Sequence, residues 1–265
     1  MAREKTPEKV KESKIPAEDE WIKIGIPGLD SLLEKGIPKG TANLIAGGPG
    51  SGKTILCLQT LNYGATQGEK CLYMTFEESP ERLRKHMHDF GWNPEELEEK
   101  GLLVIRQYDP FEITRVVEAL LEKAKRELLI EATPMVLPEG FKPDRIAVDS
   151  LSAIAAPFVG REESYRIYVE HLFKYFESLG ATSFFISETE PDRPRRLTRS
   201  GIEEFLADGV ILMYNVRKGG IRESAVEILK MRGAKFQKKV VFMEINSGEG
   251  IVVYPTQRVF EEIGQ

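Results

Sequence analysis

An eight-residue glycine-rich segment constrains the fold of this chain more than any other feature of its sequence. Residues 47–54 read GGPGSGKT and fit the pattern G-x-x-x-x-G-K-[ST], which wraps the phosphates of a nucleotide. The preceding residues 41–46 (TANLIA) predict a short buried strand, and the run that starts at Thr54 (TILCLQTLNYG) predicts a helix. This order of strand, loop and helix predicts an α/β fold with a nucleotide bound where the helix begins.

The composition of the loop follows from the chemistry of phosphate binding. Glycines allow backbone amides to turn inward without a Cβ clash, and the start of the helix adds unpaired amides and a partial positive charge. Lys53 would reach the β- and γ-phosphates as a point charge, and the Thr54 hydroxyl would bind Mg²⁺. The predicted nucleotide-binding residues of this segment are Gly48, Pro49, Gly50, Ser51, Gly52, Lys53, Thr54 and Ile55.

Charge and composition narrow the class of protein. The chain has 265 residues and a net charge of −5, so its overall charge gives no case for binding nucleic acid or an anionic membrane. It contains no apolar run long enough to span a membrane, and its first twenty residues lack the apolar core of a signal peptide. Cys57 and Cys71 lie in apolar stretches without metal-type spacing, which indicates reduced core residues. These features together predict a cytoplasmic protein without a membrane span.

The order of predicted elements indicates one domain after a charged arm. Residues 1–20 mix Lys and Glu with almost no apolar side chains and predict a flexible arm, whereas residues 21–265 predict a single domain. After the loop helix, predicted strands alternate with predicted helices, and after Gly209 only strands follow. This order predicts a three-layer α/β fold with a mostly parallel sheet and a β-rich C-terminal part. The strands are predicted at 70–76, 102–105, 146–149, 182–187, 210–214, 224–231, 240–245 and 251–254, and the helices after Ser79, after Asn93, at 112–128 and along 165–179.

Three carboxylates at predicted strand ends are candidates for the chemistry of the site. Asp149 ends an apolar strand, where a carboxylate would hold Mg²⁺ through water; the alternative is an acid that caps the next turn. Glu77 and Glu78 follow another strand, at the sheet edge that faces the ligand in parallel sheets. They could activate the attacking water or could simply favour the start of the helix at Pro80, and spacing alone leaves both interpretations open.

Cations in two later segments are weaker candidates. Lys230, Met231 and Arg232 lie at the end of a predicted strand, where the two cations suit a contact with phosphate or with solvent. Four arginines in the loop after residues 182–187 could contact nucleic acid or an acidic partner, but no aromatic residues lie between them to stack on bases. These arginines are Arg193, Arg195, Arg196 and Arg199.

Several of these motifs coincide in one known group of proteins. The chain resembles the KaiC-like branch of the RecA superfamily of ATPases in the order and spacing of its segments across residues 24–254. The matching segments are GIPGLDSLL and GIPKG ahead of the loop, GGPGSGKT, TFEES, FGW, IAVDS, IEEFLADGVILM, and LKMRGAKF followed by GIVVYP.

The resemblance implies a RecA-like fold and a homo-hexameric ring that holds ATP and Mg²⁺ between subunits. By that likeness Glu77 is the general base that activates water, with Glu78 as its companion carboxylate and Lys53 as a further catalytic residue. Lys230, Met231 and Arg232 would contact the nucleotide of the neighbouring subunit. Ala234 and Phe236 replace residues that relatives often use near the base and ribose, and Asp89 stands where clock proteins often have a small residue.

The leading hypothesis is therefore a ring-forming, regulatory ATPase, with a protein partner as a further possibility. The clock proteins carry two such domains and a long tail with phosphorylation sites, to which this chain has no counterpart, so a circadian role is not implied. One alternative is a RecA/RadB-like or helicase-like DNA-dependent ATPase, against which the acidic net charge stands. The others are a KaiC-like autokinase and a nucleotide-sensing signalling module that hydrolyses little ATP.

Overall fold

The computed structural model describes residues 20–111, 115, 137–158, 160–189, 197–198, 201–218 and 221–259. The predicted arm at 1–20, apart from Glu20, and most of the helix predicted over 112–128 lie outside the described residues.

The first part of the chain builds the strands and helices around the glycine-rich loop. Its elements are β1 (Trp21–Ile22), α1 (Pro27–Asp30), β2 (Ile37–Pro38), β3 (Ala42–Gly47), α2 (Lys53–Thr66), β4 (Cys71–Thr75), α3 (Pro80–Asp89), α4 (Pro94–Glu99) and β5 (Leu103–Gln107).

The second part completes the parallel strands and then adds antiparallel ones. Its elements are β6 (Arg145–Asp149), α5 (Leu151–Ala155), a 3₁₀ turn (Ala156–Phe158), α6 (Glu162–Ser178), β7 (Thr182–Glu188), α7 (Glu203–Leu206), β8 (Gly209–Lys218), β9 (Ile221–Met231), β10 (Val241–Asn246) and β11 (Gly250–Arg258).

Nine of the described strands form one sheet in the order β11-β10-β9-β8-β3-β7-β6-β4-β5. The pairs from β8 to β5 are parallel, whereas β8–β9, β9–β10 and β10–β11 are antiparallel. This confirms the predicted three-layer, RecA-like α/β fold with a mostly parallel sheet and a β-rich C-terminal part. The strand that leads into the glycine-rich loop, β3, lies near the middle of the sheet.

Helices cover both faces of the sheet, which explains why its central strands are continuously apolar. On one face Ile45 of β3 packs with buried residues of α2, α3 and α4. On the other face Leu44 packs with buried residues of α5 and α6, including Phe176. All six residues of β3 are buried, so the loop that follows it starts from a rigid base.

The predicted helix starts after Ser79 and Asn93 are confirmed. The Ser79 side chain accepts the backbone amide of Arg82, and Pro80 occupies the first position of α3. The Asn93 side chain accepts the amide of Glu96 in the same way. The Glu96 carboxylate in turn accepts the side-chain amide of Asn93 at 3.3 Å.

The free edge of β11 is closed by a side chain of α2. The Gln59 carboxamide accepts the amide of Ile251 at 2.7 Å and donates to its carbonyl at 3.2 Å. Gln59 is almost fully buried, as a residue between a helix and a strand edge must be. The glutamine therefore occupies the hydrogen-bonding place that a further strand would take at this residue.

Two smaller expectations are also tested by the fold. Cys57 and Cys71 are both buried and free, as expected for reduced core residues. Within the described part of the chain, the helices are too short or too polar to cross a membrane.

Candidate nucleotide-binding site

The glycine-rich loop connects the carboxyl end of β3 to the first residue of α2. Gly50 and Gly52 adopt positive φ angles of 72° and 95°, which residues with a Cβ rarely adopt. A Cβ at Gly52 would also approach Ile245 Cδ1 to 2.8 Å, whereas one at Gly50 would meet nothing within 4 Å. Gly52 is thus required by both its packing and its backbone angle, whereas Gly50 is required by its backbone angle alone and borders open space.

The start of α2 presents unsatisfied donors to that space. The N-cap residue Gly52 has no side chain to accept the first amides, and the ladder begins with the amide of Leu56 donating to the Gly52 carbonyl at 2.9 Å. The Ser51 hydroxyl is buried and has no partner among the described residues. Backbone amides and a hydroxyl without acceptors fit the oxygens of a phosphate.

Lys53 is a buried cation at the centre of the loop. Its ammonium donates to the carbonyls of Gly47 at 3.0 Å and Gly48 at 2.9 Å. Burial lowers the pKa of Lys53, and the nearby charges of Glu188, Asp149 and Glu77 oppose that shift. The ammonium is therefore held by the loop's own carbonyls and lies within electrostatic range of three carboxylates.

Asp149, the predicted magnesium ligand, contacts the first turn of α2. Its Oδ2 accepts the Thr54 hydroxyl at 3.0 Å and the Tyr73 hydroxyl at 2.6 Å. Burial raises the pKa of Asp149, the two hydrogen bonds lower it, and the charges of Glu77 and Glu78 raise it. A carboxylate and a hydroxyl in contact are the oxygen ligands that Mg²⁺ prefers.

Thr75 at the end of β4 fixes the two adjacent glutamates. Its hydroxyl accepts the amides of Glu77 at 3.3 Å and Glu78 at 3.1 Å and donates to the Glu78 carbonyl at 2.8 Å. The amide of Phe76 donates to the Asp149 carbonyl at 2.7 Å. These bonds attach the acidic turn to the same edge of the sheet as Asp149.

The side chains of the two glutamates have different surroundings. Glu77 Oε1 accepts the Ser150 hydroxyl at 2.7 Å, and its Oε2 accepts no bond from a described residue. Glu78 Oε2 instead contacts Arg82 Nε at 3.0 Å and His86 Nε2 at 3.1 Å on α3. Glu77 is therefore aligned beside Asp149, whereas Glu78 is bound to the helix that follows it.

Two residues near the loop escaped the sequence analysis. Glu188 ends β7, pairs in register with Gly47, and contributes to the charge around Lys53. The amide of Thr189 donates to the Gly47 carbonyl at 3.2 Å. Like Asp149, these two polar residues lie at the end of a buried apolar strand, which is the pattern that could have indicated them. Only the pairing of β7 with β3 distinguishes this strand end from the others.

The hairpin between β10 and β11 also borders the site, which the sequence analysis did not predict. Ile245 packs beside Gly52, and the amide of Gly248 donates to the carbonyl of Asp89 at 3.2 Å. The strands β10 and β11 are thus far from β3 in the sequence, but their hairpin lies next to the loop and the end of α3.

Lys230, Met231 and Arg232 are not brought to the loop of their own chain. Met231 and Lys230 pair with the start of β8, which lies beside Asn43 at the start of β3. The loop begins four residues later along β3, about 13 Å away. The three residues therefore lie where β3 and β8 begin, at the end of the sheet opposite the loop.

The two cations at that end of the sheet contact the C-terminal end of α7. Lys230 donates to the carbonyls of Glu204 at 3.2 Å and Phe205 at 3.4 Å, and it also contacts Ala207. Arg232 forms an ion pair of 3.2 Å with Asp208. Met231 is buried, and its side chain packs against Gly209.

The remaining site expectations concern nucleic acid and metal. Arg193, Arg195, Arg196 and Arg199, the basis for a nucleic-acid contact, lie outside the described residues. Among the residues that the structure describes, no group of three or more His, Cys, Asp or Glu side chains could hold a metal ion. A Mg²⁺ ion at Thr54 and Asp149 would take its remaining ligands from water and phosphate oxygens.

Comparisons with known proteins point to one family. The model of the KaiC ATPase family matches residues 22–258. The circadian clock protein KaiC3 of Synechocystis sp. is 33% identical over 251 residues, which cover 91% of this chain and 46% of that protein. A UPF0273 protein of Aeropyrum pernix is 32% identical over 250 residues, which cover 90% of this chain and 95% of that protein.

Among solved structures, the KaiC-like protein PH0186 of Pyrococcus horikoshii is 32% identical, with a TM-score of 0.71. That match covers 89% of this chain and 99% of the other. The chain thus spans about half the length of the first KaiC relatives that it matches, but nearly the whole length of two shorter relatives.

Proposed function

This chain belongs to the KaiC family of ATPases, and from that premise we propose that it binds Mg·ATP at residues 48–55 and hydrolyses it to ADP and phosphate. The observation that carries the proposal is the convergence at one sheet edge of the start of α2, the buried Lys53, and the Thr54–Asp149 contact of 3.0 Å. A triphosphate there would replace the loop carbonyls as the partner of Lys53 and would supply acceptors for the unpaired amides.

Thr54 and Asp149 would hold the metal. Mg²⁺ bound there would neutralise charge that develops on the β- and γ-phosphates. The oxygen-only donor set and the buried position of Asp149 fit this ion.

Glu77 would accept the proton of the water that attacks the γ-phosphate. Ser150 holds one of its oxygens at 2.7 Å, so the other is available to the water. Glu78 is the companion carboxylate, and its bonds to Arg82 and His86 make it less suited to take the proton.

Completion of the site would come from another copy of the chain. Lys230 and Arg232 lie at the opposite end of the sheet, so they can reach a γ-phosphate only in a neighbouring molecule. We therefore include in the proposal a homo-hexameric ring with ATP at its interfaces. We further propose a cytoplasmic location and a regulatory rather than metabolic role.

A comparison of Glu77→Gln with Glu78→Gln tests the proposal directly. Glu77→Gln should lower the rate of phosphate release by about 100-fold or more, because the general base is lost, while ATP binding stays within twofold of the parent. Glu78→Gln should lower the rate much less, because its carboxylate is bound to α3.

Phosphate release and binding of a fluorescent ATP analogue would be measured on both variants and on the parent. Equal rates in Glu77→Gln and the parent would refute the base assignment. A parent protein that binds no ATP in the presence of Mg²⁺ would refute the function itself.

A further inference from the structure

Tyr73 is a buried tyrosine of β4 whose hydroxyl contacts the acid at the end of β6. Its oxygen lies 2.6 Å from Oδ2 of Asp149, and the same carboxylate oxygen accepts the Thr54 hydroxyl at 3.0 Å. Tyr73 is 0% exposed and Asp149 is 7% exposed. The phenol therefore approaches the carboxylate from inside the protein, beneath the nucleotide loop.

The register of the two strands produces this contact. Tyr73 lies opposite Ala147, and Thr75 lies opposite Asp149, so Tyr73 and Asp149 are diagonal neighbours on one face of the sheet. Tyr73 and Ala147 both belong to the apolar cluster on the face that α2 covers. Because alanine is small, the residue opposite Tyr73 leaves room for an aromatic ring that reaches diagonally to the strand end.

The donors and acceptors of the Tyr73 phenol and the Asp149 carboxylate determine which hydrogen bonds the pair can form. A phenol has one proton to donate, and a buried phenol needs an acceptor, so the proton of Tyr73 is committed to Oδ2. Oδ1 of Asp149 accepts no bond from a described residue. A Thr54 hydroxyl that binds a metal through its oxygen can still donate its hydrogen to Oδ2, so both the Thr54 and Tyr73 bonds can persist and leave Oδ1 free.

We propose that Tyr73 is a positioning residue for the metal-side carboxylate: its hydroxyl holds Oδ2 of Asp149 so that Oδ1 stays oriented toward Mg²⁺ and its water. This inference rests on the proposed metal role of Asp149. It extends the site by a residue that touches neither nucleotide nor metal and acts only through the carboxylate.

The substitution Tyr73→Phe tests the inference, because phenylalanine fills the same space and removes only the hydroxyl. Binding of a fluorescent ATP analogue would be titrated with Mg²⁺, and phosphate release would be followed in parallel. The concentration of Mg²⁺ at half-saturation should rise about 10-fold or more, as is typical for loss of a partner that orients a metal ligand. Binding of the analogue in EDTA should not change.

Two further variants separate positioning from a general loss of stability. Tyr168→Phe removes a buried phenol hydroxyl from the other face of the sheet, where it has no partner among the described residues, and should leave the Mg²⁺ titration unchanged. Tyr73→Phe would also be combined with Asp149→Asn. If Tyr73 acts through Asp149, the double variant should need no more Mg²⁺ than Asp149→Asn alone.

The outcomes distinguish this inference from the function on which it rests. A parent protein whose analogue binding does not respond to Mg²⁺ overturns both. An Asp149→Asn variant that needs more Mg²⁺, beside a Tyr73→Phe variant that matches the parent, overturns only the role of Tyr73. Additive effects in the double variant would show that the tyrosine acts on packing and not on the carboxylate.

Discussion

The charged residues of the site lie in surroundings that disfavour their charge. Burial raises the pKa of Asp149, and the carboxylates of Glu77 and Glu78 raise it further. Burial likewise lowers the pKa of Lys53. Without a ligand, the folded protein therefore bears the cost of a desolvated carboxylate and a desolvated ammonium. A bound triphosphate with a divalent cation would stabilise both buried charges. Charged groups that destabilise the free protein can in this way contribute to its affinity for the ligand.

Substitution of Asp149 by Asn should stabilise the protein in the absence of nucleotide and metal. Because the pKa of Asp149 is raised above its ordinary 3.8 in the folded state, its ionised form destabilises the fold at neutral pH. This destabilisation decreases as the pH falls through the raised pKa and is absent below 3.8, where the carboxyl is protonated in both the folded and the unfolded state. Asparagine keeps an oxygen that can accept from Tyr73 and Thr54, so packing is preserved.

Thermal unfolding of the parent and Asp149→Asn in EDTA would measure this effect. The midpoint should rise at neutral pH, by roughly 2–4 °C for each kcal/mol of stabilisation in a chain of this size. The difference should shrink as the pH is lowered. A variant less stable than the parent at neutral pH would contradict the stated cause of the pKa shift.

These residue-scale features differ in how far the sequence could predict them. Thr54 and Asp149 could be placed together, because the carboxyl ends of parallel strands share an edge. The contacts Tyr73–Asp149 and Ser150–Glu77 could not, because they depend on β4 pairing with β6, and strand order is not encoded in any local pattern. The location of Lys230 at the far end of the sheet required the antiparallel register of β8 and β9.

At the scale of elements, the start of α5 is linked to Glu77, the proposed general base. The Ser150 hydroxyl accepts the amide of Ala153 at 3.2 Å and donates to Glu77 at 2.7 Å. One side chain thus caps the helix that follows β6 and orients the carboxylate that follows β4. Removal of this side chain should therefore affect both stability and rate.

Ser150→Ala should lower the free energy of unfolding by about 1 kcal/mol, the usual cost of a lost N-cap. Its turnover should fall about 10-fold, because Glu77 loses the bond that aligns it. Asn93→Ala is the matched control, since Asn93 caps α4 at 3.4 Å without contacting any proposed site residue. It should cost similar stability and leave turnover unchanged. A Ser150→Ala protein with parental turnover would show that Glu77 needs no support from α5.

At the scale of the whole molecule, the sheet separates two halves of the proposed site. The loop and its acids lie where the parallel strands end, and Lys230 and Arg232 lie near where β3 and β8 begin. One copy therefore carries both halves of the site but cannot bring them together. A head-to-tail contact between copies would join them, and it would form a ring if successive rotations return to the first copy.

A mixing experiment tests this arrangement. Lys53→Ala removes the loop cation and Arg232→Ala removes the trans cation, and each variant alone should lose activity by a factor on the order of 10³. Co-assembled in equal amounts, they should recover about a quarter of the parental rate, because that share of head-to-tail interfaces combines an intact loop with an intact trans cation. Phosphate release and molar mass in solution would be measured together. A mixture as inactive as its components, in assemblies shown to contain both, would exclude a shared site.

The two hydrogen bonds between Gln59 and Ile251 limit how copies of the chain can associate. Exposed strand edges invite unlimited lateral growth, in which one molecule's sheet continues into the next and fibres follow. Here the outermost strand is already saturated at Ile251 by the molecule's own glutamine. Polymerisation by strand addition is thereby discouraged at that margin, and Gln59→Leu would be expected to aggregate where the parent stays dispersed.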